Sequence, residues 1–177
     1  ASSAKVRPET AGEGGAPDHP DPRKVLREAD ADARAGRYEQ ALEKHLWVHR
    51  NAVQSQPALR GVRLSFALDS WFKLGGVYPP ALAALKDARD QALNTFKLEH
   101  ARDAFNDFAA INRTLREEDR TAAAFIALDK DDPAMARQVF GTARRALLKA
   151  KDYALCGKYL KAQEDLSVAL ERFRMQK

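Results

Sequence analysis

The sequence of 177 residues has one cysteine, Cys156, and no run of eighteen uncharged apolar residues. One cysteine cannot close an internal disulfide, so nothing calls for an oxidising compartment and we expect a cytoplasmic protein. The missing apolar run argues against a membrane-spanning helix, and no charged segment followed by an apolar core marks a signal peptide. The 45% of hydrophobic residues and the net charge of +5 are typical of one globular domain.

Sequence motifs of catalysis are also missing. The chain contains no phosphate-binding loop, dinucleotide-binding fingerprint or nucleophile elbow, so we expect neither an enzyme nor a cofactor. The modest net charge, without aromatic residues among the basic ones, argues against nucleic acid as a partner, and we expect no membrane partner. Acidic clusters at 117–119 and 129–132 stand at predicted helix breaks, and we interpret them as helix-capping groups.

His45 and His49 stand four residues apart and therefore on one side of a helix, the spacing of helical zinc sites. The glutamate that follows the first histidine in zinc proteases is absent, because Leu46 occupies that position. Both histidines continue an apolar stripe, so we predict core or partly buried side chains and no metal. Metal binding through this pair remains the alternative.

Residues 1–20 contain three glycines, three prolines and few apolar side chains, which predicts a flexible tail before a helical domain over 21–177. Asp21-Pro22 and Asp132-Pro133 each predict a helix start, because the aspartate accepts from free amides and proline suits the first helical position.

Apolar residues recur three or four positions apart throughout 21–177, which predicts an all-α fold of about eight helices. The breaks divide these helices into four antiparallel hairpins, at about 22–55, 58–96, 98–129 and 133–175. The second hairpin is expected to begin with a helix that carries the stripe Leu64, Leu68, Trp71 and Phe72.

A short motif repeats within the chain. Gly36-Arg-Tyr-Glu-Gln-Ala-Leu42 is matched by Gly76-Val-Tyr-Pro-Pro-Ala-Leu82, and more weakly by Lys151-Asp-Tyr-Ala-Leu-Cys156. A degenerate copy is expected midway between the last two, where the charged break Arg116 to Arg120 lies and Ala122 takes the place of the small residue.

With this motif the sequence resembles the tetratricopeptide repeat family, whose helix-turn-helix units carry Gly-x-Tyr-x-x-Ala-Leu at the turn into the second helix. In such a turn glycine permits the reversal, tyrosine covers the hairpin end, and alanine lets the two helices approach. The resemblance extends from Pro22 to about Lys177 and implies a right-handed solenoid of stacked hairpins. Another helical bundle is the alternative.

A second register of the same family pattern runs from Trp71 through Leu74-Gly75 to Tyr78. It requires a helix that continues past Tyr78. Because Pro79 and Pro80 interrupt such a helix, we prefer the first register.

The resemblance implies a non-catalytic module that binds a protein or peptide in a concave groove lined by the first helix of each hairpin. A self-associating scaffold subunit is the alternative. The residues that project onto the groove are Phe66, Ser70 and Lys73 of the second hairpin, Asp107 and Ile111 of the third, and Gly141 and Arg145 of the fourth.

Basic residues concentrate at the C-terminal end. From residue 134 onward there are ten lysines and arginines against four acidic residues. Arg137, Arg144 and Lys151 are spaced by seven positions and are expected on one helix face, with Arg145 beside them, which predicts a patch that attracts an acidic partner. The alternative interpretation of these three arginines is an ordinary solvated face.

Deletion of residues 1–20 is expected to leave the melting temperature nearly unchanged, because this segment has too little apolar surface to pack on the domain. Thermal unfolding of the full and shortened chains, followed by circular dichroism, measures this. A drop of several degrees would show that the segment packs on the domain.

Overall fold

The computed structural model describes residues 20–55 and 57–161. All regular structure in these residues is helical, which confirms the predicted all-α class. Residues 1–19 of the predicted tail, and residues 162–177 of the predicted fourth hairpin, lie outside the described residues. Within the described ranges no helix combines the length and the apolar character needed to cross a membrane.

Eight α-helices lie between residues 22 and 149 of the described chain, and residues 153–161 are helical as well. A 3-10 turn at Pro57–Leu59 precedes the short α3. The α-helices are α1 Pro22–Arg34, α2 Tyr38–Ser55, α3 Arg60–Arg63, α4 Phe66–Val77, α5 Pro79–Glu99, α6 Arg102–Leu115, α7 Glu118–Asp131 and α8 Pro133–Lys149.

The two predicted aspartate-proline helix starts are confirmed. The Asp21 carboxylate accepts from the backbone amide of Arg23 at 3.0 Å at the start of α1. The Asp132 carboxylate accepts from the amide of Met135 at 2.9 Å at the start of α8. Each proline therefore occupies a first helical position, where a backbone amide has no acceptor within the helix, so the missing amide hydrogen costs no helical hydrogen bond.

Three helix-to-helix turns share one backbone geometry. Gly36, Arg116 and Lys151 have positive φ angles of 76°, 61° and 60°. In each turn the amide of the following residue donates to the carbonyl five positions earlier, at 2.9, 2.8 and 3.0 Å respectively. This bond closes the end of the first helix and reverses the chain. The accepting carbonyls belong to Asp32, Asn112 and Leu147.

These turns correct one detail of the predicted repeat. Counted from the positive-φ residue, Thr121 rather than Ala122 occupies the place of Ala41 in the first turn. The Thr121 side chain is 2% exposed, and its hydroxyl accepts from the Asn112 amide at 3.0 Å. Because that hydrogen bond satisfies the buried hydroxyl, a threonine fits where the other turns bury Ala41 or Cys156.

The predicted turn at Gly76 is wrong, because Gly76 remains helical within α4. The chain breaks two residues later at Tyr78, which is extended with φ −131° and ψ 94°. Pro79 disfavours helical geometry in the residue before it, so the proline rather than the glycine places the break. The break at Tyr78 agrees with the preferred register of the motif.

Gly75, next to Gly76, sits at the closest contact of α4 and α5. A Cβ atom added to Gly75 would lie 3.0 Å from Cβ and 3.1 Å from Cα of Leu82. Beside this contact the indole N–H of Trp71 donates to the carbonyl of Ala81 at 2.9 Å. Ala81 is fully buried, as the motif predicts, because a larger side chain would push the two helices apart.

The second hairpin begins later than predicted. The chain turns at Leu64 and Ser65, and α4 starts at Phe66 instead of near residue 58. The Ser65 hydroxyl donates to the carbonyl of Gly61 at 2.7 Å and ends the short α3. Two ion pairs hold α3 against α6, from Arg60 to Asp103 and from Arg63 to Asp107.

The buried side chains lie mainly in two clusters. The cluster between α2, α4, α5 and α6 surrounds Trp71 and Leu85. The cluster of the C-terminal half contains six aromatic residues, namely Phe96, Phe105, Phe108, Phe125, Phe140 and Tyr159. Helix α6 contributes to both clusters and contacts α4, α5, α7 and α8, so it joins the two halves of the domain.

Replacing Gly75 by alanine is expected to destabilise the protein by about 1 to 3 kcal/mol, because the new methyl overlaps Leu82. Gly76→Ala is the matched control. Nothing lies within 4 Å of a Cβ at Gly76, so the better helix former should stabilise by about 0.5 to 1 kcal/mol. Urea unfolding midpoints measure both effects, and equal midpoints for the two variants would contradict the close contact.

Candidate functional site

A groove of about 330 Å³ runs between α6 and α8. Four of its lining residues are alanine or glycine, and their small side chains leave open space between the two helices. The lining side chains and glycine are Leu64, Asn106, Ala109, Ala110, Arg113, Glu118, Thr121, Gly141, Thr142, Arg145 and Ala146.

Polar contacts fix the two walls of this groove. The Thr142 hydroxyl of α8 donates to the Asn106 side-chain oxygen of α6 at 2.5 Å. At the other end the Arg113 guanidinium donates to the backbone carbonyl of Leu64 at 3.1 Å. Arg113 is exposed and has no acidic partner among the described residues, so its charge is available to a ligand.

Two of the predicted binding residues, Gly141 and Arg145, line this groove. Arg145 does not present a free charge, however, because its Nε donates to the Glu118 carboxylate at 3.0 Å. Lys149 contacts the same carboxylate, whose side chain is only 9% exposed. The hydrogen bonds from Lys149 and Arg145 hold the pKa of Glu118 below its usual value.

The predicted residues of α6 do not reach the groove. Ile111 is completely buried in the core, so its assignment as a binding residue is wrong. Asp107 lies outside the groove, where its carboxylate accepts from Arg63. Successive side chains on a helix point about 100° apart. The face that carries Asn106 and Arg113 therefore does not carry Asp107 or Ile111.

The three predicted residues of α4 lie apart from this groove. Phe66 is 73% exposed and Lys73 is exposed. Ser70 is half-buried, and its hydroxyl donates to the Asp30 carboxylate of α1. Ser70 therefore links α4 to α1, while Phe66 and Lys73 present free surface.

The predicted basic patch divides between two environments. Arg137 and Arg144 are exposed and form no ion pair with the described residues. Arg145, the third member, is bound to Glu118 and lines the groove instead. Lys151 lies in the turn after α8, with a φ of 60°, and not on the helix face as predicted. Of the predicted patch, Arg137 and Arg144 are therefore available as a common charged surface.

The two histidines pack against Trp71. His45 is 2% exposed, and its ring stacks on the indole with centroids 6.2 Å apart and planes 9° apart. His49 contacts the same indole edge-on at 5.7 Å. This confirms the predicted buried position of His45. Burial lowers the pKa of both histidines to about 4, so both rings are neutral at pH 7.

A group of three or more histidine, cysteine, aspartate or glutamate side chains that could hold a metal ion does not occur within 20–55 and 57–161.

The acidic cluster at 117–119 does not cap α7 through Glu117 as predicted. Glu117, at the start of α7, makes no side-chain cap. Its carboxylate instead accepts from Arg89 at 2.6 Å and forms an ion pair with Arg120 at 2.8 Å. In the second cluster, Asp132 caps α8 as predicted.

Comparison of the chain with protein-family models, with curated proteins and with solved structures finds no match.

Acid is expected to destabilise the protein as the pH falls from about 6.5 to about 4. The folded-state pKa of His45 and His49 is about 4, below the value of 6.5 for an exposed histidine, so in this range the unfolded chain binds more protons. His45→Phe, which can stack on Trp71, should flatten the loss, while replacement of the exposed His100 by glutamine should not. Urea midpoints at pH 7 and pH 5 measure the difference, and equal acid losses for all three proteins would contradict it.

Proposed function

We propose that this protein is a non-catalytic interaction module, a tetratricopeptide-like stack of helical hairpins that binds a peptide segment between the first helices of its third and fourth hairpins. The groove between α6 and α8 carries the proposal, because it is open and is lined by both small and polar residues. Such a lining suits a peptide, whose main chain needs hydrogen-bonding partners and whose side chains need room.

Three turns of the same geometry, at Gly36, Arg116 and Lys151, support the repeat. The contacts between first helices support the stacking. Helix α4 contacts both α1 and α6, and α6 contacts α8, so the first helices of the four proposed hairpins adjoin in chain order. Side chains reinforce two of these contacts, from Ser70 to Asp30 and from Thr142 to Asn106.

The chemistry of the groove favours a partner with an acidic residue. Arg113 is exposed at the rim and is held only by the neutral carbonyl of Leu64. Asn106 and Thr142 face the same space and offer polar contacts to a peptide backbone.

A self-associating scaffold remains the second candidate, supported by the exposed apolar side chains Phe66, Val77 and Leu98. Sedimentation velocity over a wide concentration range separates the two functions. A monomer at all concentrations favours the peptide-binding module, and a concentration-dependent dimer abolished by Leu98→Lys or Phe66→Lys favours the scaffold.

The groove is tested by filling it. Gly141 lines it, lies in a helix and has no atom within 4 Å of an added Cβ, so Gly141→Phe should obstruct the groove without unfolding the protein. Gly157 is an exposed helical glycine with equally open surroundings, and Gly157→Phe is the matched control. Peptides selected from a random phage-displayed library on the unmodified protein should lose at least tenfold in affinity for Gly141→Phe and keep it for Gly157→Phe.

Fluorescence anisotropy with the selected peptides measures these affinities. Arg113→Gln should weaken peptides that contain an acidic residue and leave neutral ones unchanged. Peptides that bind all variants equally, or a library that yields no saturable binder, would contradict the proposed function.

A further inference from the structure

A second cavity, of about 380 Å³, lies between α2, α3 and α6. Unlike the groove, it has mainly charged walls. The titratable side chains that line it are His49, Arg50, Arg60, Arg63, Asp103 and Asp107.

The charges in this wall do not cancel. Arg60 pairs with Asp103, and Arg63 pairs with Asp107. Arg50 is exposed and has no ion-pair partner among residues 20–55 and 57–161, so the wall retains one positive charge. A surplus of one charge favours a ligand with a single negative charge.

Arg63 adds a hydrogen-bond donor without an acceptor. The residue is nine-tenths buried, and its Nε has no hydrogen-bond partner. Its other nitrogens contact the His49 carbonyl at 3.2 Å and the Asp107 carboxylate. A buried donor left unpaired is costly. Because Nε has almost no exposed surface, the Arg63 side chain must shift toward the cavity before a ligand oxygen can pair with it.

His49 and the start of α6 present further donors. Nδ1 of the neutral His49 ring faces Arg63 Nη1 at 3.4 Å and serves as an acceptor, which places the ring hydrogen on Nε2. The first turn of α6, which supplies Asp103 to the wall, follows Ala101 and has no side-chain cap. The positive end of that helix therefore adds to the attraction for an anion.

We propose that this cavity binds a single carboxylate group, with the Arg50 guanidinium as its main ionic partner and Arg63 as a buried donor. The apolar side chain of Leu64 completes the wall beside the charged groups. The inference does not rest on peptide binding in the groove, because a free acid can occupy the cavity alone. A free organic acid and an acidic side chain of another protein both supply this group, and the probes below distinguish the two sources.

Propionate is the first probe, and propionamide, which has nearly the same shape and no charge, is its control. The imidazole signals of His49, assigned by comparison with His49→Gln, report binding in NMR titrations at constant ionic strength. Propionate should shift these signals saturably, and propionamide should not. Propionamide acting like propionate, or no saturable shift with propionate, would overturn the proposal.

Two variants change the charge of the wall in opposite directions. Arg50→Gln should weaken propionate binding about tenfold or more, because it removes the main ionic partner. Asp103→Asn should strengthen binding, because Asp103 is exposed and its loss leaves one more uncompensated positive charge. Arg27→Gln, at an exposed position of α1, is the control for a general loss of charge.

Circular dichroism establishes that each variant is folded before titration, and either Arg50→Gln or Asp103→Asn alone is sufficient for the test. Equal weakening by Arg27→Gln and Arg50→Gln, or no strengthening in folded Asp103→Asn, would overturn the proposed site. Tighter binding of inorganic phosphate than of propionate would overturn the assignment to a monocarboxylate.

A capped glutamate, N-acetylglutamate N-methylamide, identifies the source of the carboxylate. Binding similar to that of propionate supports a protein side chain, and binding of propionate alone supports a free acid.

Discussion

The carboxylate of Glu118 lies almost fully buried at the first turn of α7, where it accepts from Arg145 and Lys149 of α8. A buried charge is costly unless it is paired, so α7 and α8 must approach in the one arrangement that brings both cations to it. Asp32, also buried, imposes the same requirement on α1 and α2 through Arg37 and Lys44. Ionic contacts thus help to fix how α1 packs on α2 and how α7 packs on α8.

This use of charge determines which basic residues are left to meet a partner. Arg145 and Lys149 are occupied by Glu118, and Arg89 is occupied by Glu117 and Asp90. The C-terminal surplus of positive charge in the sequence therefore overstates the free positive surface of α8. The arginines that remain available include Arg50 and Arg113, each beside a concave surface formed by more than one helix.

The sequence was sufficient for the features that depend on neighbours in the chain. Helical class, the caps at Asp21 and Asp132, and the turn at Gly36 follow from local periodicity and local backbone preference. The break at Tyr78 was also predictable, although the turn predicted at Gly76 was wrong, because the proline alone places the break. Nothing in the chain near Gly75 reveals that Leu82 packs on its Cα.

The candidate sites were less predictable because they combine distant segments. Arg60 and Asp103 are 43 positions apart, and no local pattern indicates that α3 docks on α6. In α6, the periodicity identified an apolar face but not its angle to α8, so Ile111 was assigned to the groove while Asn106 and Arg113 were missed. The small residues Ala109 and Ala110 were the available signal, since adjacent alanines on a helix leave space beside it.

The order of helix contacts has a consequence for how the chain folds. Most contacts join helices that are immediate neighbours in sequence. The main pairs that are not neighbours, α1 with α4, α2 with α4, α4 with α6 and α6 with α8, are still close in the chain. Folding rates rise as contacts become more local, because closing a short loop costs little entropy. Each helix pair can consequently form early and provide a surface for the next, while α5 and α6, which both contribute to the two core clusters, couple the halves of the domain.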